Sequence, residues 1–180
     1  MIYTFITNKD IDVSIKQYFL DQIIGTSAHV LKKAEAAAFT LIKSKLNGRY
    51  DLVKLFPNIK EWASGILYNA TNPYCSKNDV IYKALVPNTN ASPDTHSTQW
   101  EESDPRDALL LLHCSNMTVY YVCERINPRK ISDDIAEAYN RAIDWLDDVK
   151  NGKENPDFPL IAIGATDVRS GSNDRIEHYW

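Results

Sequence analysis

The chain has 180 residues and a net charge of −4, with 20 Lys and Arg against 24 Asp and Glu. That balance argues against broad electrostatic binding to nucleic acid, which needs clustered cations to displace phosphate counterions. A hydrophobic fraction of 44% with 24% charged residues is that of a soluble globular protein, long enough for one packed core.

The first six residues read as a short strand or an extended arm. Thr7 and Asp10 form a capping box with Asp in place of Glu, and Ile11, Ile15, Tyr18, Phe19 and Ile23 recur at helical spacing, predicting a helix from Asn8 to Ile23 that Gly25 ends. Ser27 then caps a second helix, Ala28 to Leu46, whose alanines (Ala34, Ala37, Ala38) leave a narrow face for close approach of another helix, and Asn47-Gly48 stops it. Helical periodicity disappears over residues 62–104, where Pro73, Pro87 and Pro93 sit among many Asn, Ser and Thr residues. Within this stretch Asp79–Val86 reads as a strand, and Trp100 opens another.

Helical signals return at Asp104-Pro105-Arg106-Asp107, with an N-cap acid and proline in the first position. The helix expected from Pro105 to Ile126 is apolar around most of its circumference and should lie centrally. Asn127-Pro128 breaks it. Ser132 caps a fourth helix, Asp133 to Lys150, which Gly152 terminates. Residues 153–180 read as a tail ending in Tyr179-Trp180, aromatic groups that need a surface to dock on, either this domain or a neighbour. The expected fold class is therefore mainly α: a four-helix domain built from residues 1–61 and 105–152, a small β-rich insertion over 62–104 between helices 2 and 3, and an extended C-terminal tail over 153–180.

The search for chemistry finds no phosphate-binding loop and no nucleophile elbow. His29, His96, His113 and His178 are scattered, and His113, in the apolar third helix, reads as a satisfied core histidine. Cys75, Cys114 and Cys123 are an odd number at no metal spacing and read as buried free thiols of a reducing compartment. No charged, then apolar, leader opens at Met1, and no apolar run is long enough to span a bilayer. The expectation is a non-enzymatic protein with no cofactor, no bound metal and no membrane partner.

Two segments resemble a known family. Ala34-Glu35-Ala36-Ala37-Ala38 through Asn47-Gly48-Arg49-Tyr50-Asp51-Leu52 and Phe56-Pro57 resembles the alanine-rich helix, L-x-G-R-Y stretch and proline of Mu-like phage proteins once grouped as a family of unknown function. Pro105-Arg106-Asp107-Ala108-Leu109-Leu110, Glu137 to Leu146 and Gly152 resemble that family's closing helices, with Ala138 where an arginine is usual. Such proteins are similar to head–tail connectors (adaptors) of tailed bacteriophages. The resemblance implies a virion protein at the head–tail junction, assembled in the host cytoplasm: a homo-oligomeric, dodecameric ring that binds the portal on one side and tail or further ring proteins on the other. DNA would pass through its channel without sequence-specific binding. In this reading Gly48 supplies a positive-φ stop, and Arg49 and Tyr50 pin the chain end back on the bundle. The insertion resembles small chitin-type carbohydrate-binding modules through Trp62, Tyr74, Asn78-Asp79-Val80-Ile81-Tyr82, Pro93 and Trp100-Glu101. That likeness implies an alternative function, a carbohydrate-binding accessory protein, with Tyr74, Tyr82 and Trp100 as sugar or subunit contacts. The same aromatics can instead be the core of the insertion.

Overall fold

The computed structural model describes residues 5–15, 28–126, 129 and 131–162. Its elements in chain order are α1 (Asn8–Asp12), α2 (Ala28–Leu46), α3 (Leu52–Leu55), β1 (Lys60–Glu61), β2 (Tyr74–Lys77), β3 (Val80–Ala84), a 3-10 turn (Ser97–Gln99), β4 (Trp100–Glu102), α4 (Ala108–Ile126) and α5 (Asp133–Lys150). The fold is mixed α/β, which corrects the mainly α four-helix expectation. Three long helices, not four, make the helical body among the described residues, and the proline- and asparagine-rich stretch folds into most of a four-stranded mixed sheet.

The capping box of α1 forms: the Thr7 side chain accepts from Asp10 N, while the Asp10 carboxylate accepts from Thr7 N at 2.6 Å. The helix nevertheless stops at Asp12, against the expected continuation to Ile23; residues 16–27, with Gly25 and Ser27, lie outside the described residues. Helix α2 buries Leu31, Ala34, Ala38, Ile42 and Leu46, an i, i+3/i+4 stripe, against α4. Glu35, next to that stripe, is also buried, and its carboxylate accepts from Phe5 N at 2.7 Å. Helix α4 is the central element, packed on α1, α2 and α5 and burying Leu110, Cys114, Met117, Val119 and Val122. It starts at Ala108, three residues later than expected. Asp107 is its cap, accepting from Leu110 N at 2.8 Å, because Asp104 is engaged elsewhere.

That engagement is with Arg106. The guanidinium is buried and forks to Asp104 through Nε (2.9 Å) and Nη2 (2.6 Å), while Nη1 reaches Phe5 O (2.6 Å) and Asp10 (2.8 Å). Burial works against its charge, but the bonds to Asp104 and the charge of Asp10 outweigh this and hold its pKa above the ordinary value. One side chain thus joins the N-terminal segment, the end of the sheet region and the start of α4. Beside it a polar cleft of about 240 Å³ separates helical body from sheet, and Asn8 Nδ2 donates across the junction to Asp79 at 3.3 Å.

The sheet has the order β1-β2-β3-β4, with β1 parallel to β2 and the other pairs antiparallel. Strands β3 and β4 fall where the sequence places strands; β1 and β2 were not anticipated. Asn78 (φ 53°) and Asp79 (φ 59°) form the two-residue β2–β3 turn, both with the positive φ that a type I′ hairpin demands. The first part of the expected tail is not extended away from the body: Phe158 is buried, and Leu160 bridges antiparallel to Tyr50.

Replacing Arg106 by Met keeps volume but leaves Asp10 and the Phe5 carbonyl without their partner. The expected loss is about 3–5 kcal/mol in urea unfolding, with Arg106→Lys recovering only part because an ammonium does not fork. A loss below about 1 kcal/mol would remove Arg106 from this role.

Candidate functional site

The Gly48-Arg49-Tyr50 stretch forms a clasp between the ends of α2 and α5. Arg49 Nη1 donates to Val149 O at 2.9 Å, a carbonyl in the last turn of α5 that also accepts from Gly152 N at 3.2 Å, and Nη2 donates to Asn155. A cation there also suits the negative end of the helix dipole. Tyr50 is buried, 5.3 Å from the Phe158 ring in an edge-on contact, and Phe158 in turn meets Trp145 at 6.3 Å. Backbone bonds close the clasp: Asp51 N donates to Pro159 O (2.7 Å) and Ile161 N to Arg49 O (3.2 Å). Lys45 and Asp147 form an ion pair between the same two helices.

Of the two glycines read as helix stops, Gly152 plays that part with a positive φ and Gly48 does not. Gly48 does not adopt positive φ, and a Cβ there would meet nothing within 4 Å. Gly152 does, with φ +75°, and a Cβ on it would stand 3.1 Å from Arg49 Nη1. The conformational stop therefore lies at the end of α5, where the guanidinium packs over the bare glycine.

In the insertion, Trp100 is 5% exposed, donates its indole N–H to Ala91 O at 2.9 Å and meets Tyr68 edge-on at 5.1 Å. With Cys75, and with Tyr82 and Trp62 half-buried against them, it makes a second small core. Trp100 is thus committed to packing, and its face is not offered to a ligand. Tyr74 differs: it lines an open cleft of about 710 Å³ with Pro57, Lys60, Glu61, Ile66 and Tyr68. Tyr68 went unremarked in the sequence because its burial depends on a bridge to Asn88 twenty residues on. Tyr179 and Trp180 lie outside the described residues.

The groups that carry reactivity elsewhere are packed away here. Burial raises the thiols of Cys75 (to about 12), Cys114 and Cys123, so none is a ready thiolate. His113 is not the satisfied histidine expected. It is buried and stacked on Trp145 at 4.6 Å, and neither ring nitrogen has a hydrogen-bond partner among the described residues. Burial lowers its pKa below 6.5, against the opposing charge of Asp107. Among the described residues no three His, Cys, Asp or Glu side chains come together as metal ligands. No helix among them is long and apolar enough to cross a membrane.

No family model, curated protein or solved structure matches this chain. The likeness to phage connectors therefore stands on the residues quoted for it alone.

Two outcomes test the site. Gly152→Ala strains the backbone and crowds Arg49, and should cost roughly 1–2 kcal/mol, whereas Gly48→Ala should stay within about 0.5 kcal/mol; equal effects in thermal melts would contradict the clasp. For His113 the depressed pKa means that the unfolded chain takes up the proton first. Its contribution to stability is complete above about pH 6.5 and is lost as pH falls below it. Wild-type stability should decline from about pH 7 to pH 5 more steeply than that of His113→Phe, and parallel curves would show that the histidine contributes nothing.

Proposed function

We propose that this chain is a structural subunit of a tailed bacteriophage, a head–tail connector (adaptor) that works in a ring between portal and tail. The observation that carries the reading is the convergence of the family-like motifs. The glycine–arginine–tyrosine stretch after α2 is about a hundred residues in sequence from Trp145 in α5 and Gly152 just beyond it, yet the two meet in one clasp through Arg49, Gly152 and Phe158. Residues that resemble one family in two separate segments therefore act as one structural unit. Every member of that unit does a packing or capping job. This fits a protein whose work is contact with other proteins. A closed ring forms when each subunit presents one face to a different face of the next and the rotation closes. Portal and tail proteins are the partners this reading assigns, with DNA passing through the channel.

The test is imaging of intact particles by electron cryomicroscopy, together with mass spectrometry of their proteins. Many copies of this chain at the head–tail junction are the expected result. Its absence from the particle would overturn the reading.

A further inference from the structure

An asparagine followed by glycine is open to attack on its side chain by the next backbone nitrogen, because glycine brings no Cβ to hinder the approach. The chain contains this dipeptide twice, as Asn47-Gly48 and Asn151-Gly152. Each copy directly follows one of the two helices that the clasp joins, α2 and α5. All four residues are exposed, but their backbones are held differently.

At Asn151-Gly152 the reaction is blocked twice. The attacking atom, Gly152 N, donates to Val149 O at 3.2 Å, and the Arg49 guanidinium lies over the glycine, its Nη1 3.1 Å from where a Cβ would stand. The clasp must open locally before this nitrogen can turn toward the side chain. At Asn47-Gly48 both restraints are missing. Gly48 N makes no hydrogen bond among the described residues, while Arg49 N and Tyr50 N, the next two donors, both reach Leu46 O at 3.1 Å. A Cβ on Gly48 would meet nothing within 4 Å, so the space in which the peptide must rotate is empty.

We propose that Asn47 is a site of spontaneous covalent modification, and that its conversion to isoaspartate opens the clasp. Gly48 N gives up its proton to the solvent and attacks Asn47 Cγ. A bond forms between these two atoms and closes a cyclic imide. The Cγ–Nδ2 bond breaks, and ammonia leaves with a proton taken back from the solvent. Water then cleaves one of the two imide C–N bonds. Cleavage at Cγ gives aspartate with the chain intact. Cleavage at the backbone carbonyl gives isoaspartate, in which the main chain runs through Cβ and Cγ and is one atom longer. The bonds from Arg49 N and Tyr50 N to Leu46 O span this position, so the longer chain displaces the two residues that form the clasp. The new carboxylate also stands at the negative end of the α2 dipole. None of this depends on the phage reading.

Peptide mapping by mass spectrometry tests this on the purified full chain, held in mildly alkaline buffer with and without urea. In urea both asparagines should react at one pace, since each precedes a glycine. In the folded chain Asn151 should slow by roughly tenfold or more, while Asn47 goes on reacting and yields mostly isoaspartate. Gly48→Ala, which leaves the fold intact, should slow Asn47 by about as much, because its methyl group hinders the attack. Limited proteolysis then reads the clasp. Chains with isoaspartate at position 47 should be cut within residues 153–162 sooner than fresh chains, and sooner than Asn47→Asp, which carries the charge without the added main-chain atom. Equal protection of Asn47 and Asn151 in the folded chain overturns the proposal. So does an isoaspartyl chain that resists cleavage as well as the fresh one.

Discussion

A single buried guanidinium ties the two halves of this fold together. Arg106 bonds to Asp10 in the first turn, to the carbonyl of Phe5 just before it, and to Asp104 where the chain leaves the sheet. These are strong, charge-assisted and directional contacts. They also decide where the central helix begins: with Asp104 taken, Asp107 becomes the cap and α4 starts one turn later. The aromatic trio of Phe5, Phe39 and Phe56, with ring centroids 5.0–5.2 Å apart, depends on the same anchor, because Phe5 is fixed between Arg106 and Glu35. Buried charge of this kind contributes little net stability compared with a well-packed apolar replacement, yet its geometric demands admit few alternative arrangements.

The clasp works by a different principle. The backbone groups at a helix end must find partners, and at α5 a side chain from a distant part of the sequence supplies one. The bare Gly152 lets the Arg49 guanidinium lie close, and the Tyr50 and Phe158 rings close the apolar side. A helix-end carbonyl is capped and aromatic surface buried at one spot, although the buried Tyr50 hydroxyl has no hydrogen-bond partner among the described residues, and the first part of the C-terminal segment lies on the body as a result.

How much of this was legible in the sequence depends on range. Helices α2 and α5 occupy the spans read from periodicity and from their flanking residues, because those signals are local. The α1 capping box was legible for the same reason, but the helix length was not, since apolar spacing beyond Asp12 does not say whether the turns continue. Strands β1 and β2 were missed because two- and four-residue strands have little pattern of their own and exist by virtue of their neighbours. Asn78-Asp79 lacks the glycine that advertises a tight hairpin. Arg49 and Tyr50 were visible as a motif, while their partners Val149, Asn155 and Phe158 lie about a hundred positions away. His113 shows the converse. Its place in an apolar helix implied burial, but not that both nitrogens would lack partners among the described residues.

The sheet order has a geometric consequence. The chain joins the sheet at β1 and leaves it from β4, the two outer strands. Three inter-strand spacings of roughly 4.8 Å separate them, about 14 Å in all. The insertion is therefore a strut, not a loop hung from one point. It sets the distance between the end of the α3 region and the segment that leads to Arg106. Excising it cleanly would need a bridge of about four extended residues to keep those two points apart. A shorter splice would pull Asp104 and Arg106 away from Asp10, so the width of a small sheet becomes a dimension of the helical body.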